Sequence, residues 1–64
     1  MPYIHVRVAG NLTEEQKRQI AAEFSETLLK VAKKPKTSTY CVIEEVSRKN
    51  WAVGDQLLED MKPH

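Results

Sequence analysis

The chain has little of what usually stabilises a very short protein. Its 64 residues include one cysteine, Cys41, so no disulfide can form within a single chain. The two histidines, His5 and His64, are far apart and lack paired carboxylates at ligand spacing, so we expect no metal site. A domain of this size buries only about 60% of the surface that its unfolded chain exposes. With neither a disulfide nor a metal, self-association is the remaining way to bury enough apolar surface.

Other absences narrow the class of function. Ten Lys and Arg against nine Asp and Glu give a net charge of +1, and their mixed order leaves no basic patch for nucleic acid. There is no apolar run long enough to span a bilayer, no signal-peptide core and no basic amphipathic helix for a membrane surface. We therefore expect a cytoplasmic protein that binds neither nucleic acid nor membranes. With no linker or repeat, residues 1–64 are interpreted as one domain.

The first half of the chain predicts a strand followed by a long helix. Tyr3 to Val8 alternates apolar and polar residues, which is the period of a half-buried strand. Thr13 to Gln16 has the spacing of a capping box and predicts the start of a helix. Pro35 ends it, which gives roughly 20 residues and a rod about 30 Å long. Apolar side chains recur at helical spacing and are expected to pack on one side: Ile20, Phe24, Leu28 and Val31.

The second half predicts another strand and a small hairpin. Tyr40 to Val46 is rich in strand formers, and strand, helix, strand is a βαβ unit with parallel strands. This strand is apolar on both faces, and one helix covers only one face, so we expect the other to meet a second subunit. Trp51 to Val53, closed by Gly54, predicts the hairpin. The tail, residues 55–64, carries three apolar side chains expected to dock: Leu57, Leu58 and Met61. The fold class is therefore α+β.

Met1 and Pro2 carry the most specific chemical signal. A methionine followed by so small a residue is normally removed, and we expect its removal to leave Pro2 with a free secondary amine. A free α-amino group has a pKa of about 7.7–8.0, and an apolar pocket lowers that pKa towards neutrality. Such an amine is a general base at cellular pH, and the proline ring restricts its orientation. The plain alternative is that Met-Pro is an ordinary start without chemistry.

Together these features resemble the 4-oxalocrotonate tautomerase family of very small enzymes with an N-terminal catalytic proline. The resemblance spans nearly the whole chain. It rests on Pro2, the helix start from Thr13 to Lys17, Pro35, Ile43 to Val46, and Asn50 to Gly54.

The resemblance implies a tautomerase fold in which two βαβ subunits pair into a four-stranded sheet. It implies a homo-oligomer, most often a hexamer built as a trimer of dimers, with a dimer left open. Active sites are built from neighbouring subunits, and no cofactor is implied. The implied enzyme is an isomerase that moves a proton between the enol and keto forms of a small 2-hydroxy-dienoate or aromatic enol acid, with Pro2 as the base.

The resemblance also implies which residues surround Pro2. The family member that acts on a dicarboxylated dienol has carboxylate-binding arginines just before the helix cap and at the start of the second strand, where this chain has Leu12 and Tyr40. Neither side chain can bind a carboxylate bidentately, so a diacid substrate is disfavoured relative to an aromatic or monoacid enol. Tyr40 is expected to donate a hydrogen bond to an enolate oxygen, and Leu12 to make the pocket more apolar. Trp51 is expected to wall the pocket, with a core or interface position as the alternative, and the backbone amide near Ala9 to touch the substrate.

Several alternatives stay open at this stage. Lys36 and Arg7 are candidate cations for a lone carboxylate, although surface charge explains both. Cys41 with His5 suggests a thiol nucleophile but lacks an orienting group. Glu44 and Glu45 are candidate general acids or solvated strand positions. The Pro2 amine could instead serve a related hydratase or dehalogenase, and the chain could be a non-catalytic oligomeric binding or scaffold protein.

Overall fold

A βαβ unit followed by a small hairpin makes up the computed structural model, which describes residues 1–61. The main elements are β1 (Tyr3–Ala9), α1 (Glu14–Ala32), β2 (Tyr40–Val46), β3 (Ala52–Val53) and β4 (Gln56–Leu57). Single 3₁₀ turns lie at Lys36–Ser38, Arg48–Asn50 and Leu58–Asp60. The predicted α+β class, with its βαβ unit and C-terminal hairpin, is confirmed.

β1 and β2 pair in parallel, from Tyr3 opposite Tyr40 to Ala9 opposite Val46. Because successive side chains of a strand point to opposite faces, this register gives the sheet two distinct sides. The helix-facing side carries half-buried apolar residues: Ile4, Val6, Val8, Cys41 and Ile43. We call the other side the open face, and its residues are Tyr3, His5, Arg7, Ala9, Tyr40, Val42, Glu44 and Val46.

Reciprocal hydrogen bonds begin α1 as the sequence predicts. The Thr13 hydroxyl accepts from the Gln16 backbone N–H at 3.1 Å, and the Gln16 side-chain oxygen accepts from the Thr13 N–H at 2.9 Å. The helix ends before Pro35, at Lys33, whose φ of 58° and ψ of 34° are left-handed. Its length of 19 residues matches the expected rod. No helix within residues 1–61 has the length and hydropathy needed to cross a membrane.

The apolar stripe of α1 is only partly covered. Ile20 and Leu28 are half-buried, but Phe24 is 43% exposed and Val31 is 78% exposed. The expectation that all four positions pack on one side is therefore wrong for the single chain. Small residues, Ala21 and Ser25, occupy the half-buried positions between Ile20 and Leu28, so the helix is rotated away from the predicted stripe.

The hairpin forms its own two-stranded antiparallel sheet, with Ala52 opposite Leu57 and Val53 opposite Gln56. Gly54 opens its two-residue loop with a φ of 64°, a conformation that glycine adopts without steric cost. The Leu58 N–H donates to the Trp51 carbonyl at 2.8 Å. Leu58 and Met61 are half-buried as predicted for a docking tail, whereas Leu57 is exposed. The last part of that predicted tail, residues 62–64, lies outside the described residues.

The single chain leaves an unusually large surface uncovered. None of residues 1–61 is fully buried. Its accessible surface is 5227 Å², whereas a compact monomer of this mass exposes about 4,200 Å². Much of the exposed apolar surface belongs to the open face, where Tyr3 is 62% exposed, Tyr40 54% and Val42 45%.

Lys33→Gly is expected to stabilise the fold, because the left-handed conformation of Lys33 is unfavourable for any residue with a Cβ atom. We expect the free energy of unfolding to rise by about 0.5–1 kcal/mol. The measurement is urea denaturation at a fixed protein concentration. Lys34→Gly is the matched control, since φ is not positive at Lys34. An equal gain in both variants would contradict the explanation.

Candidate active site

Pro2 and Tyr40 lie together at the end of the sheet where both parallel strands begin. The Tyr40 N–H donates to the Pro2 carbonyl oxygen at 2.9 Å, and Tyr3 is paired in register with Tyr40. This backbone hydrogen bond fixes Pro2 next to Tyr40, a residue of the open face that is 54% exposed. Met1, bonded to the Pro2 nitrogen, is 86% exposed.

A concavity of about 430 Å³ lies at the other end of the open face. Its lining residues are Arg7, Glu44, Val46, Asn50, Trp51 and Ala52. The volume falls within the range of about 300–1,000 Å³ that is typical of small-molecule sites. Ala9 is paired with Val46 in register, so Ala9 and Trp51 belong to this end. We call this concavity the Trp51 cavity.

The two ends are too far apart to act on one small molecule within a single chain. From Tyr3 to Ala9 the strand rises about 20 Å, at ~3.3 Å per residue. Leu12 lies in a third place, a groove of about 250 Å³ that it lines with Ile20 and Phe24 of α1. The structure therefore brings Pro2 together with Tyr40 and places Ala9 near the Trp51 cavity, but it does not unite all five predicted residues.

A charged cluster lies beside Trp51 on the open face. Oε1 of Glu44 is 3.0 Å from Nε2 of His5, accepts a hydrogen bond from Nε of Arg7 at 3.1 Å, and lies 3.1 Å from Nη2 of Arg7. The hydrogen bond with His5, followed by that with Arg7, holds the pKa of Glu44 below its ordinary value. Sequence reasoning considered Arg7 and Glu44 separately and missed this pair. The parallel register, which sets Arg7 opposite Glu44, was the signal that could have found it.

Glu45 lies on the helix-facing side of β2 and has different partners from Glu44. It forms an ion pair with Lys17, and one of its carboxylate oxygens accepts from the Leu12 N–H at 3.2 Å. The hydrogen bond from Lys17, followed by that from the Leu12 N–H, lowers the pKa of Glu45. Glu45 therefore ties β2 to the segment that leads into α1.

The other candidate residues from the sequence, Lys36 and Cys41, have contacts or positions that do not indicate a catalytic role. Lys36 pairs with Glu26 of α1 at 2.7 Å, so its charge is already engaged. Cys41 is half-buried on the helix-facing side, away from His5 on the open face. Over the described part of the chain, no three His, Cys, Asp or Glu side chains are grouped as metal ligands would be.

Comparison with known proteins identifies the chain as a member of the tautomerase family. The family model described as tautomerase enzyme matches residues 2–61. A probable tautomerase from Bacillus cereus is 33% identical over 60 residues, which cover 94% of this chain and 98% of that protein. The 2-hydroxymuconate tautomerase of Bacillus subtilis is 29% identical over 62 residues, covering 97% of this chain and all of that protein.

Solved structures agree with this assignment. DmpI from Helicobacter pylori superposes with a TM-score of 0.83 at 30% identity, covering 91% of each chain. YwhB, a homologue of 4-oxalocrotonate tautomerase, superposes with a TM-score of 0.87 at 28% identity, covering 95% of this chain and all of that chain. The resemblance to 4-oxalocrotonate tautomerases is thus confirmed, and the chain is an isomerase with tautomerase activity. Which of its residues perform the reaction remains a prediction.

Acid is expected to weaken the fold partly through Glu45, whose pKa is lowered by Lys17 and by the Leu12 N–H. A carboxyl with a lower pKa in the folded chain stabilises the fold above its unfolded pKa, and this contribution is lost as the pH falls through the folded pKa. The melting temperature should therefore fall between about pH 5 and pH 3, near the ordinary titration range of a glutamate. Glu45→Gln should reduce that fall.

Glu59→Gln is the control, because it makes the same change in charge at a residue that is exposed in the last 3₁₀ turn. Thermal melting of the three proteins across this pH range measures the effect. Identical slopes for the wild type and Glu45→Gln would show that the Glu45 contacts do not stabilise the fold.

Proposed function

We propose that this isomerase interconverts the enol and keto forms of a small carboxylic acid, with the Pro2 amine as general base after removal of Met1. The observation that carries the proposal is the position of Pro2. Its carbonyl oxygen accepts from the backbone N–H of Tyr40 at 2.9 Å, which fixes the start of the chain at the end of the sheet where Tyr40 begins β2. Membership of an isomerase family supports the reaction type.

In the proposed reaction, the free amine takes the proton from the enol hydroxyl of the substrate and becomes a charged ammonium. The electron pair of the broken O–H bond moves through the conjugated system to carbon. The ammonium then returns the same proton to that carbon, so a C–H bond replaces the O–H bond and no co-reactant is needed. The Tyr40 phenol would donate a hydrogen bond to the oxygen that becomes negative. Apolar surroundings would lower the pKa of the amine and keep it basic at neutral pH.

We further propose that each site is shared between chains. One chain would supply Pro2 and Tyr40, and another would supply Trp51 as the aromatic wall and the backbone near Ala9. The separation of about 20 Å along β1 supports this arrangement. So does the surface of 5227 Å² that a single chain exposes. Leu12, in its groove beside α1, would add apolar surface from either chain.

The assembly we propose is a homo-oligomer in which two chains pair into a four-stranded sheet. A hexamer built as a trimer of dimers is favoured, and a dimer is the alternative. The exposed apolar residues of the open face, Tyr3, Tyr40 and Val42, support an assembly that covers this face.

For the substrate we propose an aromatic or otherwise apolar enol with one carboxylate. The 2-hydroxymuconate named for the Bacillus subtilis relative is a dicarboxylate. Leu12 and Tyr40 of this chain offer no guanidinium for either of two carboxylates, and arginine is the side chain that binds carboxylate bidentately. One carboxylate is therefore the better match.

Pro2→Ala is expected to remove most of the tautomerase activity, because a flexible primary amine replaces the oriented secondary amine. We expect kcat to fall at least about 10²-fold, the lower end of what general acid–base catalysis contributes. Ultraviolet absorbance would follow ketonisation of the enol form of an arylpyruvate. Intact mass must first show that Met1 is absent from both proteins.

Pro35→Ala is the matched control, since it also replaces a proline by alanine, but just after α1 and outside the proposed site. Its kcat should stay near the wild-type value. Full turnover by Pro2→Ala, or by a protein that retains Met1, would overturn the assignment of Pro2 as the base.

Mixed oligomers test whether the site is shared. Pro2→Ala and Trp51→Ala chains would be unfolded together, refolded as a mixture and assayed beside each variant alone. If Pro2 and Trp51 of one site come from different chains, about a quarter of the sites in a random mixture are intact and activity is regained. If both come from the same chain, every site keeps one defect and the mixture is as inactive as its components.

A further inference from the structure

One of the residues that line the Trp51 cavity is a cation. Of its lining residues, all within the described part of the chain, Arg7 is the one with a positive charge. Arg7 belongs to the open face and lines the cavity together with Trp51, and its side chain is 56% exposed. An aromatic wall beside a guanidinium is an arrangement that suits a flat, apolar molecule with one carboxylate.

The hydrogen bonds of Arg7 leave it able to bind such a ligand. A guanidinium has five N–H donors in a planar fork. Nε of Arg7 donates to one oxygen of Glu44 at 3.1 Å, and Nη2 lies 3.1 Å from the same oxygen. Glu44 thus holds the guanidinium by one edge, while the remaining donors are available to a ligand in the cavity.

Two other cations near the ends of the sheet are engaged elsewhere. Lys36 pairs with Glu26 at 2.7 Å, and Arg48 donates from Nη2 to the Leu58 carbonyl at 2.6 Å. Neither contributes to the lining of the Trp51 cavity. Arg7 is therefore the cation best placed to bind a carboxylate next to Trp51.

We propose that Arg7 binds the single carboxylate of the substrate in the Trp51 cavity and so determines the preference for monoacids. The inference rests on the proposed function, since it names the residue that holds the substrate of that site. Glu44 positions Arg7 and also competes with the substrate for its charge. A second carboxylate would meet no second guanidinium and would lie near the negative charge of Glu44.

The two residues should therefore have opposite effects on binding. Arg7→Gln removes the cation and is expected to weaken the binding of a carboxylate. Glu44→Gln removes the competing negative charge and is expected to strengthen it. A purely structural role for the pair predicts a change of the same sign in both variants, because either substitution breaks the same contact.

Trp51 offers a direct readout, because it is the single tryptophan of the chain and lines the cavity. Its fluorescence would be titrated with 3-phenylpropanoate, which has no enol and cannot react, and with the corresponding primary amide. We expect Arg7→Gln to weaken carboxylate binding about tenfold or more, as for the loss of a charge-assisted hydrogen-bonded pair, and to leave amide binding unchanged. Glu44→Gln should tighten carboxylate binding several-fold. Arg7→Lys should keep part of the carboxylate affinity that Arg7→Gln loses.

Arg18→Gln is the matched control, because it removes a guanidinium from α1, where Arg18 pairs with Glu14 and Glu15. It should leave both affinities unchanged. Size-exclusion chromatography would show that each variant keeps the wild-type assembly. If Arg7→Gln does not assemble, Glu44→Gln still decides, since its failure to tighten carboxylate binding overturns the proposal.

The proposal would also be overturned if carboxylate binding were unchanged in Arg7→Gln, or weaker in both Arg7→Gln and Glu44→Gln. Turnover separates this inference from the proposed function. Arg7→Gln should raise KM for a monoacid enol with little change in kcat, whereas Pro2→Ala should lower kcat. Ligand binding does not require a reaction, so it tests Arg7 even if Pro2 proves not to be the base.

Discussion

The parallel pairing of β1 with β2 is the constraint on which the rest of the structure depends. Its register sets Tyr3 opposite Tyr40, Arg7 opposite Glu44 and Ala9 opposite Val46. A slip of one residue would turn every side chain of a strand to the other face of the sheet. The apolar residues under α1, the ion pair beside Trp51 and the place of Pro2 all follow from this one alignment.

The same pairing would link catalysis to assembly in the oligomer that we propose. Parallel strands keep Pro2 at one end of the sheet and Trp51 near the other, and the crossover helix covers only one face. With an accessible surface of 5227 Å², the single chain has much apolar surface left to cover. An oligomer that covers the open face would also bring Pro2 of one chain close to Trp51 of another. The same contacts between chains would then both stabilise the protein and complete the site.

Charge is divided between the two sides of β2. Glu45 faces α1, where its contacts with Lys17 and the Leu12 N–H secure the start of the helix. Its neighbour Glu44 faces the opposite side and holds Arg7 beside Trp51. Because side chains alternate along a strand, two adjacent glutamates contact different partners on opposite faces. The guanidinium of Arg7 thereby lies on the face where the proposed substrate would bind.

The amino-acid sequence by itself determined the elements, the helix cap and Pro2 as the candidate base, because alternation, the capping box at Thr13 and the stop at Pro35 are local signals. Only the tertiary structure decided that Phe24 and Val31 stay exposed and that Arg7 lies beside Trp51. The rotation of a helix on a sheet, and the pairing of strands that are distant in sequence, depend on packing across the whole chain. No local pattern specifies them.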